Sequence, residues 1–295
     1  MATVGLLHPG EMGAAVGGCL VSVGHEVLWD PAGRSRASTG RALAAELTGV
    51  GLADLVARSS VILSICPPHA ALEVAGQVAD AGFGGLYVDA NAVSVATAAQ
   101  VASVVEGGGA SYVDGGIIGL PPEAAGQTRL YLSGARAGEV RALFDRSALD
   151  ARIAEGQPYA ASAVKMAYAA WTKGTGALLL AARALARAEG VERTLLAEWA
   201  MSQPALGNQS ERSAAAAAAK GWRWVAEMEE IAASMAAAGL PPGFHEAAAE
   251  IYDRTAAAAQ AGHAPEEGRA GGASRVRSGE KDPSATLDTV MSALV

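Results

Sequence analysis

The chain has 295 residues, of which 51% are hydrophobic and only 5% aromatic, so it can bury a large core built mainly from Ala, Leu and Val. A formal net charge of −8, without a strong basic cluster in the body of the chain, argues against nucleic acid or an anionic membrane surface as the main partner. The two cysteines, Cys19 and Cys66, lack metal-ligand spacing and sit among apolar residues, which predicts buried free thiols, no metal site and a reducing cytoplasm. The opening residues lack the pattern of a signal peptide, and the apolar run 175–182 is too short to span a bilayer, so a soluble protein is expected.

Residues 4–7 (VGLL) read as a short buried strand. A turn with Pro9, Gly10 and Gly13 follows, then a small-residue helix over 12–23 closed by Gly24-His25, then a second strand over 26–29 ending at Asp30. Strand, Gly-rich turn, helix, and strand with an acid at its tip make the first unit of a dinucleotide-binding domain. The helix N-terminus offers backbone N–H groups to a pyrophosphate, and glycines let the phosphates approach. The turn reads His8-Pro9-Gly10-Glu11-Met12-Gly13, so His8 replaces the first glycine of G-x-G-x-x-G; all six residues are candidate cofactor contacts. The competing reading is a βα turn that binds nothing.

The tip of the second strand faces the adenosine ribose in this arrangement. Asp30 there favours the 2′-hydroxyl of NAD, whereas Arg34, Ser35 and Arg36 favour the 2′-phosphate of NADP. Two cations and a hydroxyl within three residues tip the reading to NADP(H) over NAD(H). A helix over 50–57 and a buried strand over 61–65 lead to Cys66-Pro67-Pro68-His69, whose prolines force the chain out of the sheet into a rigid lip. Cys66 and Pro67 stand in this lip, which lies along the cofactor in the hydroxyacid dehydrogenase family that the opening turn resembles, and His69 is read as a loop residue at a helix start rather than a base.

After a strand over 85–89, Asn91 carries both a donor and an acceptor for cofactor or substrate, or is a turn residue bonding its own backbone. Ser94 reads as the N-cap of a helix over 95–106, which Gly107-Gly108-Gly109 ends. A strand over 111–113 is followed by Asp114-Gly115-Gly116-Ile117-Ile118-Gly119, where the backbone N–H groups of Gly115 and Gly116 are candidates for an anionic substrate. A strand over 129–133 and a helix over 140–144 complete an α/β Rossmann-type, doubly wound domain, its mostly parallel sheet covered on both faces.

From Tyr159 the pattern is helical without a proline as far as Gly190, an interdomain spine on which Lys165, Tyr168 and Thr172 share one face. Lys165, among Ala, Val and Met, suits a desolvated acid/base; the alternative is a lysine snorkelling on an exposed face. Tyr168 is its candidate assistant, or a core tyrosine tied by one hydrogen bond. Trp171 and Thr172 are candidate substrate contacts. Helices over 194–206, 213–238 and 244–261 follow, punctuated by Pro204, the segment 239–243 and Gly262. Residues 263–283 read as a disordered tail, closed by a short helix over 284–294 with Ser284 as N-cap. The expected layout is a cofactor domain over 1–157, an all-α substrate and dimerisation domain over 158–262, and a tail over 263–295.

The opening resembles the superfamily of 6-phosphogluconate dehydrogenases and β-hydroxyacid dehydrogenases, whose first strand leads to a G-x-G-x-M-G turn and a helix ending in Gly-His. Gly10, Met12, Gly13 and Gly24-His25 match, and His8 departs. The stretch from Asp114 is similar to the family's substrate segment Asp-Ala-Pro-Val-Ser-Gly-Gly, with Ile118 where the serine is usual. Of the family's Gly-x-Gly-x-x-x-Lys-x-x-x-Asn helix only Lys165 is kept; Tyr159 and Ala161 stand at the glycines and Ala169 at the asparagine. Residues 221–231 and the turn Leu240-Pro241-Pro242-Gly243-Phe244-His245 resemble a short C-terminal domain of some members, with Ala226-Glu227 in place of a Lys-Asp pair that reaches the cofactor. Trp222, Trp224 and Met228 in this segment are read as packing at a helix interface, with a pocket wall as the alternative.

The resemblance implies an NAD(P)-dependent oxidoreductase that moves hydride between nicotinamide and a C–OH/C=O carbon of a small substrate. Lys165 would be its acid/base and Tyr168 its helper, in a homodimer with active sites between domains. Imine reductases share this architecture and also depart from the lysine–asparagine pair, so C=N reduction is the nearest rival chemistry. A non-catalytic NAD(P)-binding protein is the rival from another class.

Overall fold

The apolar start of the chain forms β1 (Thr3–Leu7), and the turn after it leads into α1 (Glu11–Ser22) and β2 (Glu26–Trp29). Gly13 lets helix and turn meet, since a Cβ there would lie 2.3 Å from the His8 carbonyl oxygen. Further along come α2 (Arg36–Ala44), β3 (Thr48–Gly49), α3 (Leu52–Arg58), β4 (Val61–Ser64), α4 (Ala71–Asp80), β5 (Leu86–Asp89) and α5 (Val95–Gly107). The half closes with β6 (Ser111–Ile118), β7 (Thr128–Ser133), α6 (Ala137–Leu143) and β8 (Leu149–Ile153).

In this computed structural model, which describes residues 1–261 and 283–295, the eight strands form one sheet in the order β3-β2-β1-β4-β5-β6-β7-β8. All neighbours are parallel except β6 and β7. Strand order reverses between β1 and β4, the switch point at which ligands bind in open α/β sheets. Alternate strand residues feed two cores: Val61 and Leu63 one face, Ile62 and Tyr87 the other. The expected Rossmann-type sheet, covered on both faces, is thus what the chain builds.

Differences from the sequence reading have physical causes. Strand β6 runs to Ile118 rather than stopping at Val113, because its second half gains an antiparallel partner in β7. Ser94 caps α5 as expected, accepting from the Thr97 N–H.

The chain divides into two compact units, Met1–Tyr168 and Ala169–Val295, the division falling within α7 (Ala160–Ala188). The second unit is helical: α8 (Glu192–Ser202), α9 (Leu206–Ala237), α10 (Gly243–Ala261) and α11 (Pro283–Leu294). Arg183, buried, donates to Glu192 (2.7 Å) and to Ser210 (2.7 Å), and Arg187 joins Glu192 to Asp288 of α11. Among the described residues α11 already includes Pro283, so Ser284 lies inside the helix and is not its N-cap. The tail expected over 263–283 lies, up to residue 282, outside the described residues. No helix among the described residues is long and apolar enough to cross a membrane.

Candidate functional site

The β1–α1 turn carries two unusual features. His8 has φ 67°, the left-handed region that a glycine at this position would enter without strain, and the Gly10 N–H folds back onto its carbonyl (2.8 Å). Helix α1 then starts with Gly10 as N-cap, leaving the Met12 and Gly13 amides without acceptors within the helix. A Cβ on Gly10 would meet nothing within 4 Å, so backbone there lies open to an approaching group. A helix N-terminus of this kind favours an anion.

Arg34, from the loop after β2, reaches the same place. Its Nε and the Nδ1 of His8 are both buried without a hydrogen-bond partner. Burial, and next the Arg34 charge, hold His8 down to about 4 from its ordinary 6.5. Two orphaned polar groups, a guanidinium and an imidazole, beside an anion-seeking helix end fit the phosphates of a dinucleotide. Asp30 holds its own loop, Oδ1 accepting from the Ala32 N–H (2.9 Å), and Ser35 caps α2 by accepting from the Ser38 N–H (3.1 Å). Pro9 is buried, while Glu11 and Arg36 are exposed.

The His8 shift has a measurable consequence. Between pH 6.5 and about 4 the unfolded chain binds a proton at His8 that the folded chain refuses, so stability falls as pH drops through that window. Urea unfolding of His8→Asn across those pH values is expected to show a shallower loss than wild type; an unchanged slope would contradict the assignment.

At the ends of β4, β5 and β7 and the middle of β6 a polar row crosses the sheet. Ser64, Asp89, Asp114 and Ser133 are register partners in sequence, and all four are buried. Asn91 ties the first two strands. Its Oδ1 accepts from the Cys66 N–H (2.6 Å), its amide donates to the Ser64 hydroxyl (3.2 Å), and its N–H donates to Asp89 (3.0 Å). The side chain thus bonds the neighbouring strand's end, fixing the Cys66-Pro67 lip. Both cysteines are buried and free; burial pushes Cys66 up to about 12, which leaves an inert thiol.

Asp114, to which sequence analysis gave no role, anchors α7. Its Oδ1 accepts from the Ser162 hydroxyl (2.5 Å), and its Oδ2 from the Ser162 N–H (3.0 Å) and the Ser133 hydroxyl (2.8 Å). Ser133 accepts in turn from the Ala161 N–H (3.3 Å). A carboxylate at the amides of a helix start satisfies donors the helix cannot and suits its dipole. No sequence signal marks this set, whose members lie 19 and 48 residues apart.

Gly115 and Gly116 do not form the open anion seat expected of them. Both lie in β6 opposite Leu132 and Tyr131, and successive N–H groups of a strand point to opposite edges, so the two cannot converge on one anion. Gly116 instead admits α7: a Cβ there would stand 2.7 Å from the Ala161 carbonyl oxygen and 2.9 Å from the Lys165 Cβ. Lys165 is half-buried at this contact, one turn beyond Ser162, and Tyr168 follows on the same helix, 46% exposed. Tyr159, just before α7, has φ 64°.

In the second unit Trp171 points outward, 72% exposed, while Thr172 lines a cavity of about 440 Å³ with Lys173, Arg212, Ser213, Trp224 and Tyr252. Lys173 is ion-paired with the buried Glu227 and lies 5.6 Å from the Trp224 ring centre; the Tyr252 hydroxyl donates to its carbonyl oxygen (2.6 Å). Glu227 therefore serves its own unit. Met228 is core, Trp224 packs on Tyr252 (4.9 Å between ring centres), and Trp222 is half exposed under Arg223.

Residues 186–255 match the domain of unknown function DUF1932. No curated protein matches the sequence. Among solved structures, the conserved protein MTH1747, described as structurally similar to 3-hydroxyacid dehydrogenases, is 26% identical with a TM-score of 0.64, covering 88% of this chain and 98% of its own. The 3-hydroxyisobutyrate dehydrogenase of Mycobacterium tuberculosis, solved with L-serine, is 21% identical with a TM-score of 0.63, covering 87% and 94%. An imine reductase variant from Myxococcus stipitatus, solved with NAD+, is 20% identical with a TM-score of 0.55, covering 89% and 95%. The chain thus has the fold of the 3-hydroxyacid dehydrogenases and imine reductases and carries a DUF1932 domain in its helical unit.

Proposed function

We propose that the protein is an NAD(P)-dependent oxidoreductase of the β-hydroxyacid dehydrogenase type, with NADP(H) favoured, acting on the C–OH/C=O carbon of a small substrate. The observation that carries this reading is the pairing of an anion-seeking β1–α1 turn with a lysine held against β6 by Gly116 and Asp114. Met12, Gly13 and Arg34 would hold the dinucleotide phosphates, with Ser35 at the edge of the 2′-phosphate seat. Asn91 would keep the Cys66-Pro67 lip in place beside it. When bound, the nicotinamide supplies or accepts the hydride. The protein's part is the proton: Lys165 gives it from Nζ to the substrate oxygen in reduction and takes it back in oxidation. Tyr168, one turn on, orients the substrate.

Reduction of C=N is a second reading, favoured by Ala169 in place of an asparagine and by the likeness to the imine reductase fold. The test is NADPH and NADH oxidation with keto acids, aldehydes and cyclic imines, repeated with Lys165→Ala. Turnover lost in the variant supports the proposal. Binding without turnover on any substrate would mark a non-catalytic dinucleotide-binding protein.

A homodimer belongs to the same proposal. On α7, Trp171, Leu178 and Leu185 recur every seven residues on one face and are 72%, 53% and 64% exposed. A stripe at that spacing suits a second helix, and symmetric pairs are the commonest assembly. The double variant Leu178→Glu/Leu185→Glu is expected to sediment as a monomer where wild type sediments as a dimer. A wild-type monomer would contradict this part.

A further inference from the structure

We propose that His8 is a specificity-determining residue for the dinucleotide, its imidazole and the Arg34 guanidinium together taking the 2′-phosphate of the adenosine ribose. The inference rests on reading the β1–α1 turn as the dinucleotide seat, and it adds a residue that the fingerprint itself does not contain.

Three observations converge on it. First, His8 occupies the left-handed backbone region at φ 67°, where a glycine would sit without strain. A side chain held in an unfavourable backbone region points toward function when its surroundings give it something to do. Second, Nδ1 of His8 and Nε of Arg34 are buried and without hydrogen-bond partners, so both polar atoms await an acceptor or donor that the protein does not provide. Third, the two groups feel each other electrostatically although they come from different loops, the β1–α1 turn and the loop after β2. The second of these loops follows the strand tip that faces the ribose in this architecture.

The chemistry favours a phosphate monoester over a hydroxyl. His8 is neutral at ordinary pH, so it does not repel Arg34, and its ring still carries one N–H donor. A guanidinium and an imidazole N–H within electrostatic reach of each other can serve different oxygens of one phosphate. The plain ribose of NAD offers only a neutral hydroxyl there, with a single oxygen, and a site built around buried donors discriminates against a ligand that leaves one of them unpaired. Asp30, which suits a 2′-hydroxyl, has one oxygen engaged by the Ala32 N–H in its own loop.

Titrating wild type, His8→Gly, His8→Asn and Arg34→Ala with NADPH and with NADH tests the inference, using the ratio of the two dissociation constants as readout. His8→Gly is expected to lower the preference for NADPH about tenfold or more, the scale of one lost hydrogen bond to a charged partner. Its unliganded form is expected to melt at a higher temperature, because glycine relieves the φ strain. His8→Asn, which tolerates this backbone region and keeps a donor, should restore part of the preference. An unchanged ratio in His8→Gly would overturn the role of His8 while leaving the seat intact. Failure of wild type to bind either dinucleotide would overturn the seat, and His8 with it.

Discussion

Lys165→Met is expected to reduce kcat of the NADPH-dependent reaction by about 10²–10⁴-fold, the usual contribution of a positioned acid/base. The dissociation constant for NADPH should move far less, because the proposed seat of its phosphates is the β1–α1 turn and Arg34. Arg at the same position keeps the charge but holds its proton too tightly to donate it, so Lys165→Arg should not rescue turnover. A structural lysine would behave differently: its loss would lower the melting temperature and leave kcat nearly unchanged. Steady-state rates and fluorescence titration of the same preparations separate the two cases.

The second large effect is on folding. Asp114→Ala removes one buried acceptor from the Ser133 hydroxyl, the Ser162 hydroxyl and the Ser162 N–H at once. Buried donors left unmatched cost about 1–3 kcal/mol each, and partial access to water trims the sum, so a loss of about 2–5 kcal/mol is expected. Asp114→Asn keeps the shape but turns an N–H₂ toward existing donors, so it should recover only part of this. Urea midpoints measure both. Because Lys165 lies one turn beyond Ser162, surviving Asp114→Asn protein should also show a lowered kcat with a near-normal dissociation constant for NADPH. A midpoint for Asp114→Ala equal to that of wild type would show that the carboxylate does not anchor α7.

What the sequence shows plainly here is what local pattern can encode. The run from Val4 to Asp30 declares its strand, turn, helix and strand, and Ser94 marks a helix start by residue type. Helix α2 carries no legible pattern, because its residues, RASTGRALA, are mostly polar or small, with a glycine inside, and bury only Ala42. Strand β8 escaped because it lies at the sheet edge, with Arg152 and Ile153 exposed. The extension of β6 through two glycines depends on a partner strand, β7, which no propensity of Gly115 or Gly116 foretells.

The site is harder to read for the same reason. The first glycine position of each of the two family motifs is occupied here, by His8 and by Tyr159, and both residues keep a positive φ at a cost of about 1–2 kcal/mol each. The backbone demanded by the motif is therefore retained where its letters are not. Asp114 shows the converse: an ordinary letter acquires its role from Ser133 and Ser162, far away in the chain. Asn91 is legible as a residue with a donor and an acceptor, but only the fold shows that both are engaged at the end of β4, by Ser64 and the Cys66 N–H.

The most direct test of the account is a crystal structure with NADPH bound. It predicts the pyrophosphate against the Met12 and Gly13 amides and the 2′-phosphate on Arg34. A nucleotide seated anywhere else, or a 2′-phosphate turned to solvent away from Arg34, would contradict it.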